Sequence, residues 1–140
     1  MKSKLIALLD SVPGKKLLML DPLARGPVNL VIERKLFAEH GVPEEGGILN
    51  FDVTWIDNNF NNILIILPPN IKSMEKLVQL YEKNRDKGNK KYYAVFWPKR
   101  SSVCKEYLEE RGYLDSFELR DFSFDLIPLD HDLYSLEMKC

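Results

Sequence analysis

Several residues with reactive or charged side chains lie at the carboxyl ends of the predicted strands. Open parallel sheets bind their ligands at these strand ends. Asp21 directly follows the first predicted strand, and an aspartate at this place can accept a phosphoryl group. A receiver-type site needs further carboxylates to hold Mg²⁺, but the next residues are Pro22, Leu23 and Ala24. The simpler interpretation is that Asp21 forms a turn or caps one.

The best candidate anion site is the run Lys99, Arg100, Ser101 and Ser102. Two cations precede a predicted helix, whose free N–H groups and dipole attract negative charge at its N-terminus. Helix capping and solvation explain the same residues equally well. Both interpretations therefore stay open.

Other catalytic motifs are missing from the sequence. It contains no G-x-G-x-x-G, no P-loop lysine motif and no G-x-S-x-G elbow. His40 and His131 have no recognisable serine or cysteine partner, and the acids Asp130, Asp132 and Glu137 do not supply a complete oxygen cage for a metal ion. We therefore expect no catalytic residue, no metal ion and no cofactor.

Composition sets the broad class of protein. A chain of 140 residues, 45% hydrophobic and 29% charged, is typical of one globular domain. The net charge of -1 argues against a nucleic-acid binder, which usually carries a basic excess. Cys104 and Cys140 are too few for a disulfide framework, and Cys104 is expected to be buried. The apolar run 5–9 is too short for a signal peptide or a membrane span, so direct membrane insertion is not expected.

Hydrophobic patterning predicts an α/β fold. Apolar or β-branched runs at Lys16–Leu20, Ile63–Leu67 and Tyr92–Trp97 are typical of buried parallel strands. Weaker strands are expected at Gly47–Phe51 and from Phe117 onward, with an irregular loop around Trp55 and Ile56. Strands that alternate with helices predict a five-stranded parallel sheet of flavodoxin-like order 2-1-3-4-5, with helices on both faces.

Four helices are predicted between these strands. They comprise a short leading helix over 5–12, a helix from Pro27 to His40 ended by Gly41, a helix from Ile71 ended by Gly88, and a helix capped by Ser101. The inner face of the last helix should carry Val103, Cys104, Tyr107 and Leu108. After Pro128, the spacing of Leu133 and Leu136 predicts one helical turn capped by Asp132.

Several sequence blocks occur in a particular order along nearly the whole chain. They are Leu20-Asp21-Pro22, Gly26-Pro27, Glu39-His40-Gly41-Val42, the run 96–104, the run 112–117, and Asp125-Leu126-Ile127-Pro128-Leu129-Asp130-His131-Asp132-Leu133-Tyr134-Ser135-Leu136-Glu137. This ordered set resembles the SM family, the Sec-one/Munc-eighteen-like syntaxin-binding proteins. Within that family it is similar to the class C vacuolar protein sorting branch.

The resemblance implies that residues 1–140 form the single first domain of a much longer protein with no enzymatic activity. It implies a SNARE-binding chaperone of vesicle tethering and membrane fusion, within the HOPS and CORVET complexes. The partners would be syntaxin-like SNAREs and tethering-complex subunits, bound mostly through domains beyond this one. The protein would be cytoplasmic and peripheral to endosome, lysosome or vacuole membranes.

At residue level, the resemblance places the helix Pro27–His40 on the wall that faces bound syntaxin. Glu33, Arg34 and Glu39 would be its polar contacts, although a plain solvated helix face explains them as well. The alternative function is a flavodoxin-like enzyme or phosphate-binding module that uses Asp21 and the Lys99–Ser102 loop. Stabilisation by nucleotides, flavins or Mg²⁺ would favour that alternative.

Overall fold

The chain forms a five-stranded sheet whose strands all run parallel, in the order β2-β1-β3-β4-β5. The computed structural model describes residues 4–20, 34–51, 55–67, 70–96, 101–120, 127–129 and 133–135. The strands are β1 Lys16–Leu20, β2 Ile48–Asn50, β3 Asn62–Leu67, β4 Lys91–Phe96 and β5 Glu118–Arg120. The predicted fold class and strand order are confirmed, and the three central strands lie within one residue of their predicted bounds.

Helices lie along this sheet. They are α1 Lys4–Asp10, α2 with its described residues 34–38, α3 Ile71–Asn84 and α4 Ser101–Glu110, followed by a 3-10 helix Leu114–Ser116. Gly41 has a φ of +90° just after α2, as expected of a helix stop. The predicted start of that helix at Pro27 lies outside the described residues.

Strand alternation divides the sheet into two faces. On the first face, Lys16 Nζ reaches the His40 carbonyl and Arg120 Nη2 reaches the Ser11 carbonyl, so α1 and the end of α2 cover it. On the second face, Tyr92 contacts Tyr81 of α3, and α3 packs beside α4. The sheet is therefore enclosed by a helix layer on each side.

The central strands are apolar because both of their faces are covered. All five residues of β1 are buried, and so are the last five residues of β3. Neither strand shows the alternation of apolar and polar residues that a half-exposed strand would have, as expected for a parallel sheet between helices. Their side chains form the middle of the core, and the edge strand β5 is only half-buried.

Two helix predictions need correction. Helix α3 ends at Asn84, and Gly88 lies in the turn that follows. The Asn84 side chain donates to the Leu80 carbonyl at 2.7 Å and accepts from the Ile56 N–H at 3.0 Å, which fastens the last helical turn to the loop before β3.

In α4, Cys104, Tyr107 and Leu108 are buried as predicted. Val103, by contrast, is 49% exposed, so its predicted place on the inner face of α4 is wrong. It precedes Cys104 by one residue, which turns its side chain about 100° around the helix from the centre of the buried stripe. Ser101 is the first residue inside α4, and the position before it lies outside the described residues.

The predicted helical turn after Pro128 is also wrong. Ile127–Leu129 (β6) pairs antiparallel with Leu133–Ser135 (β7) in a separate two-stranded sheet. Leu133 is the register partner of Leu129, so the residue that was to begin the helical turn lies in a strand. Asp132 lies outside the described residues, but the segment that it was predicted to cap is a strand and has no helix N-terminus.

Candidate functional site

The predicted site residues are only partly described. Asp21, Glu33, Lys99 and Arg100 lie outside the described residues, as do the acids of the 130–132 segment. Ser101 and Ser102 begin α4, and Ser102 is exposed. The anion site at the start of α4 therefore stays a prediction.

Arg34 and Glu39, the described members of the predicted syntaxin-facing wall, do different things. Arg34 is half-buried, and its Nη1 donates to the Glu44 carbonyl at 3.3 Å. This bond ties α2 to the turn that leads into β2. Glu39 is exposed one residue past the helical segment and is available to a partner.

His40 takes part in a polar joint on the first face. Its Nδ1 lies 2.7 Å from Asp10 Oδ1 at the end of α1, and its carbonyl accepts a 2.7 Å hydrogen bond from Lys16 Nζ. Lys16 is almost wholly buried, and this burial lowers the pKa of its ammonium group, while Asp10 acts in the opposite direction. The joint fixes α1 and α2 to the first strand, so we assign it a structural role.

A cavity of about 370 Å³ opens on the second face near the amino ends of β1 and β2. We call it the Trp55 cavity. Its walls come from the residues before and in β1, the turn before β2 and the loop before β3: Lys15, Leu17, Pro43, Glu45, Gly46, Leu49, Trp55, Asp57, Asn59 and Phe60. Trp55 is 60% exposed, whereas Leu17 and Phe60 are buried. The cavity thus has an apolar floor and an exposed aromatic wall.

The loop that carries Trp55 is held at several points. The Ile56 N–H donates to buried Asn84, and the Asn59 N–H donates to Asp57 Oδ1 at 2.8 Å. Lys90 Nζ donates to the carbonyls of Asp57 and Phe60, at 2.9 and 2.6 Å. Burial lowers the pKa of Lys90, as expected for an ammonium used as a structural bridge.

Charges of both signs lie around the Trp55 cavity. Lys87 Nζ lies 4.8 Å from the centre of the Trp55 ring, and Lys15 Nζ lies 4.8 Å from the centre of the Phe60 ring. Glu45 and Asp57 also line the cavity, and Glu45 is exposed, as is Glu44 next to it in the sequence. The rim therefore combines lysines beside the aromatic rings with acidic residues.

Reactive groups elsewhere in the described chain are few. No group of three or more His, Cys, Asp and Glu side chains is placed to hold a metal ion among the described residues. Cys104 is buried as predicted, and burial raises the pKa of its thiol to about 11, which keeps it protonated and unreactive at neutral pH. No helix in the described part of the chain is long and apolar enough to cross a membrane.

Sequence reasoning missed the Trp55 cavity. The irregular loop around Trp55 and Ile56 was predicted, and the described residues 55–61 are neither helix nor strand. A large aromatic residue beside the polar stretch 57–62 was the available signal. No sequence pattern showed that Lys15 and Pro43, far away along the chain, would complete the walls.

Known proteins match this chain along almost its full length. A protein-family model described as the Sec1 family matches residues 16–140. Vacuolar protein sorting-associated protein 33A of Drosophila melanogaster is 31% identical, with 96% of this chain and 22% of the relative covered. The human protein 33B is 28% identical over 98% of this chain, and the Arabidopsis thaliana protein 33 homolog is 24% identical over 97%.

This chain spans about a fifth of the length of those curated relatives, since the alignments cover 22% of each. The family model covers far more than half of the chain, and its match includes all five strands of the main sheet. The predicted membership is thereby confirmed: the chain belongs to the Sec1 family.

Proposed function

We propose that this chain is the first domain of a longer, non-enzymatic protein of vesicle-mediated transport that binds SNARE proteins and supports membrane fusion. Its partners would be syntaxin-like SNAREs and the subunits of a HOPS- or CORVET-type tethering complex. It would act at the membranes of the late endosome, lysosome or vacuole and reach them through these partners.

One observation carries the proposal: the Sec1 family match over residues 16–140, together with relatives named for vacuolar protein sorting in animals and a plant. The function named for the relatives is protein sorting to the vacuole. SNARE binding, tethering and the particular membrane go beyond those names and belong to the proposal.

Two described surfaces suit a binding role. Glu39 is exposed just past the described end of α2 and belongs to the predicted wall for bound syntaxin. The Trp55 cavity opens near the turn that Arg34 contacts through Glu44. Both surfaces offer side chains for contact with a partner protein.

The test uses the full-length protein with purified cytosolic domains of endosomal and vacuolar SNAREs. We expect saturable binding and faster fusion of SNARE-bearing liposomes when the protein is added. Residues 1–140 alone should bind far more weakly, because a binding surface shared between domains loses more than half of its effect when one domain is removed. Complete absence of SNARE binding by the full-length protein would overturn the proposal.

Charge reversal tests the predicted wall. Glu39→Lys in the full-length protein should weaken SNARE binding without changing the unfolding midpoint, since the side chain is exposed. Glu106→Lys, at an exposed position of α4, makes the same charge change; it is the matched control and should leave binding unchanged. Equal effects of the two variants would show that only net charge matters and that the helix is a solvated face.

A further inference from the structure

We infer that the Trp55 cavity is a docking site for an apolar side chain on an amphipathic SNARE helix that carries charges of both signs. This inference rests on the proposed function and adds a specific contact surface to it. No described residue of the predicted wall on α2 lines this cavity, which opens on the second face of the sheet. Three properties of the cavity support it: rigidity, shape and charge.

Rigidity comes from the anchors of the loop. Ile56 and Phe60, on either side of its polar residues, are buried, and Lys90 fastens two of its carbonyls. The Trp55 side chain nevertheless remains 60% exposed. A fixed, exposed tryptophan binds at low entropic cost, and tryptophan is enriched among residues that dominate binding energy.

The shape of the cavity favours a protruding side chain. Its volume of about 370 Å³ lies at the small end of the range for ligand pockets. Leu17 and Phe60 form an apolar floor, and Trp55 stands at one side. Such a space accepts one or two side chains from a helix surface, as in helix-in-groove recognition.

The charges select the kind of partner. Lys15 and Lys87 lie over the aromatic rings, while Glu45 lines the cavity and is exposed, as is its neighbour Glu44. A helix with both an acidic and a basic residue next to its apolar anchor would match this rim. An anionic membrane would meet Lys15 and Lys87 favourably, but Glu44 and Glu45 would repel it. The charge pattern therefore favours a protein helix.

The experiment follows Trp55 directly in the full-length protein. Tryptophans are replaced by 5-fluorotryptophan, and the ¹⁹F resonance that disappears in Trp55→Phe is assigned to this residue. Titration with the SNARE cytosolic domain that binds best should shift that resonance as the ring becomes buried. Trp55→Ala should weaken binding about 30-fold, the effect of a typical hot-spot residue.

Matched controls separate docking from general surface effects. Ile71→Ala and Val103→Ala remove other exposed apolar side chains, each 49% exposed, and should leave the SNARE affinity within twofold. Lys15→Glu and Glu45→Lys should each weaken SNARE binding. The variant that combines both substitutions should regain part of the affinity if one helix contacts both residues. Unfolding midpoints recorded for every variant identify any that fail to fold.

The outcomes distinguish this inference from the proposed function. SNARE binding with an unchanged Trp55 resonance and an unaffected Trp55→Ala variant overturns the docking site and leaves the proposed function intact. Absence of SNARE binding overturns both. A Trp55 shift caused by phosphatidylserine vesicles and not by any SNARE helix would assign the cavity to a membrane surface and overturn the protein partner.

Discussion

The two faces of the sheet are joined to their helices by different kinds of contact. On the first face, buried Lys16 donates to the carbonyl of His40, whose ring bonds Asp10, and Arg120 donates to the Ser11 carbonyl at 3.1 Å. On the second face, four aromatic rings pack with centroids 5.3 to 6.0 Å apart: Tyr81, Tyr92, Tyr113 and Phe117. The first joint depends on directed hydrogen bonds, the second on buried aromatic area.

The difference determines how each face should respond to substitution. Hydrogen bonds require fixed distances, so the first face should be sensitive to any added atom and to the charge of Lys16. Aromatic packing gains free energy in proportion to the area removed from water. The second face should therefore be sensitive to lost volume and tolerant of small polar changes.

The largest effect is expected from Phe117→Ala on the second face. Phe117 is buried and contacts both Tyr81 and Tyr92, so truncation removes apolar burial and leaves a cavity. The free energy of unfolding should fall by about 4 kcal/mol, measured by chemical denaturation. Leu114→Ala, at a half-buried residue next to the same cluster, should cost clearly less. A loss below about 1 kcal/mol for Phe117→Ala would show that the cluster does not hold this face.

Gly41→Ala should have the next largest effect, on the first face. Gly41 has a φ of +90°, and an added Cβ would collide with the Gly14 carbonyl oxygen and lie 2.6 Å from Lys16 Nζ. Left-handed strain and the broken contact should together cost about 3 kcal/mol in denaturant titrations.

Gly88→Ala is the matched control for Gly41→Ala. Its φ is +71°, and nothing lies within 4 Å of an added Cβ. Backbone strain alone should cost about 1 kcal/mol. Equal losses for the two glycines would mean that the close approach of Gly41 to the Gly14 carbonyl and to Lys16 Nζ contributes nothing.

Sequence patterning predicted the two faces unequally. The strands, their order and the inner positions Cys104, Tyr107 and Leu108 could be predicted, because continuous apolar runs and helical spacing report burial directly. The polar joint could not be predicted. The sequence pattern predicts only that Lys16 begins an apolar strand, whereas its contact with the carbonyl of His40 spans 24 positions of sequence.

The same limit applies to the binding surfaces. The Trp55 cavity combines the turn before β2 with the loop before β3 and residues around the start of β1, a combination that only the strand register creates. The spacing of Leu133 and Leu136 predicts a helical turn, because it contains no information about the pairing of Leu133 with Leu129 between β7 and β6. Short segments whose conformation depends on a partner strand carry little local signal.

A smaller effect concerns the charge of Lys16. Burial lowers the pKa of its ammonium below 10.5, so the unfolded chain binds more protons than the folded chain between the folded pKa and 10.5. The unfolding free energy of the native protein, relative to Lys16→Met, should therefore rise as pH increases through this window. Urea titrations of both proteins from pH 7.5 to 10.5 measure the difference, in which all other titrations cancel. A flat difference would show that Lys16 is not penalised for its charge.

The smallest effects compare two adjacent tyrosines on opposite faces. Tyr92 is buried on the second face, and its hydroxyl has no hydrogen-bond partner among the described residues. Tyr93 is buried on the first face, where Lys91 Nζ and the Arg120 guanidinium lie 5.3 and 5.0 Å from the centre of its ring. Tyr92→Phe should raise the free energy of unfolding by about 1 kcal/mol, because it removes a polar group that lost its water without gaining a partner. Tyr93→Phe should have a much smaller effect, because it keeps the ring that both cations face.

A pH series sharpens the comparison of the two tyrosines. Burial raises the pKa of Tyr92 to about 12 from an ordinary value of 10.0, which favours its neutral form in the folded state. This preference for the neutral form stabilises the folded state fully below pH 10. The stabilisation is lost as pH rises from 10 to about 12, since the unfolded chain releases the proton first. The advantage of Tyr92→Phe over the native protein should therefore widen above pH 10. If Tyr92→Phe instead destabilises the protein at pH 7, the Tyr92 hydroxyl has a bonding partner, and the second face is not joined by aromatic area alone.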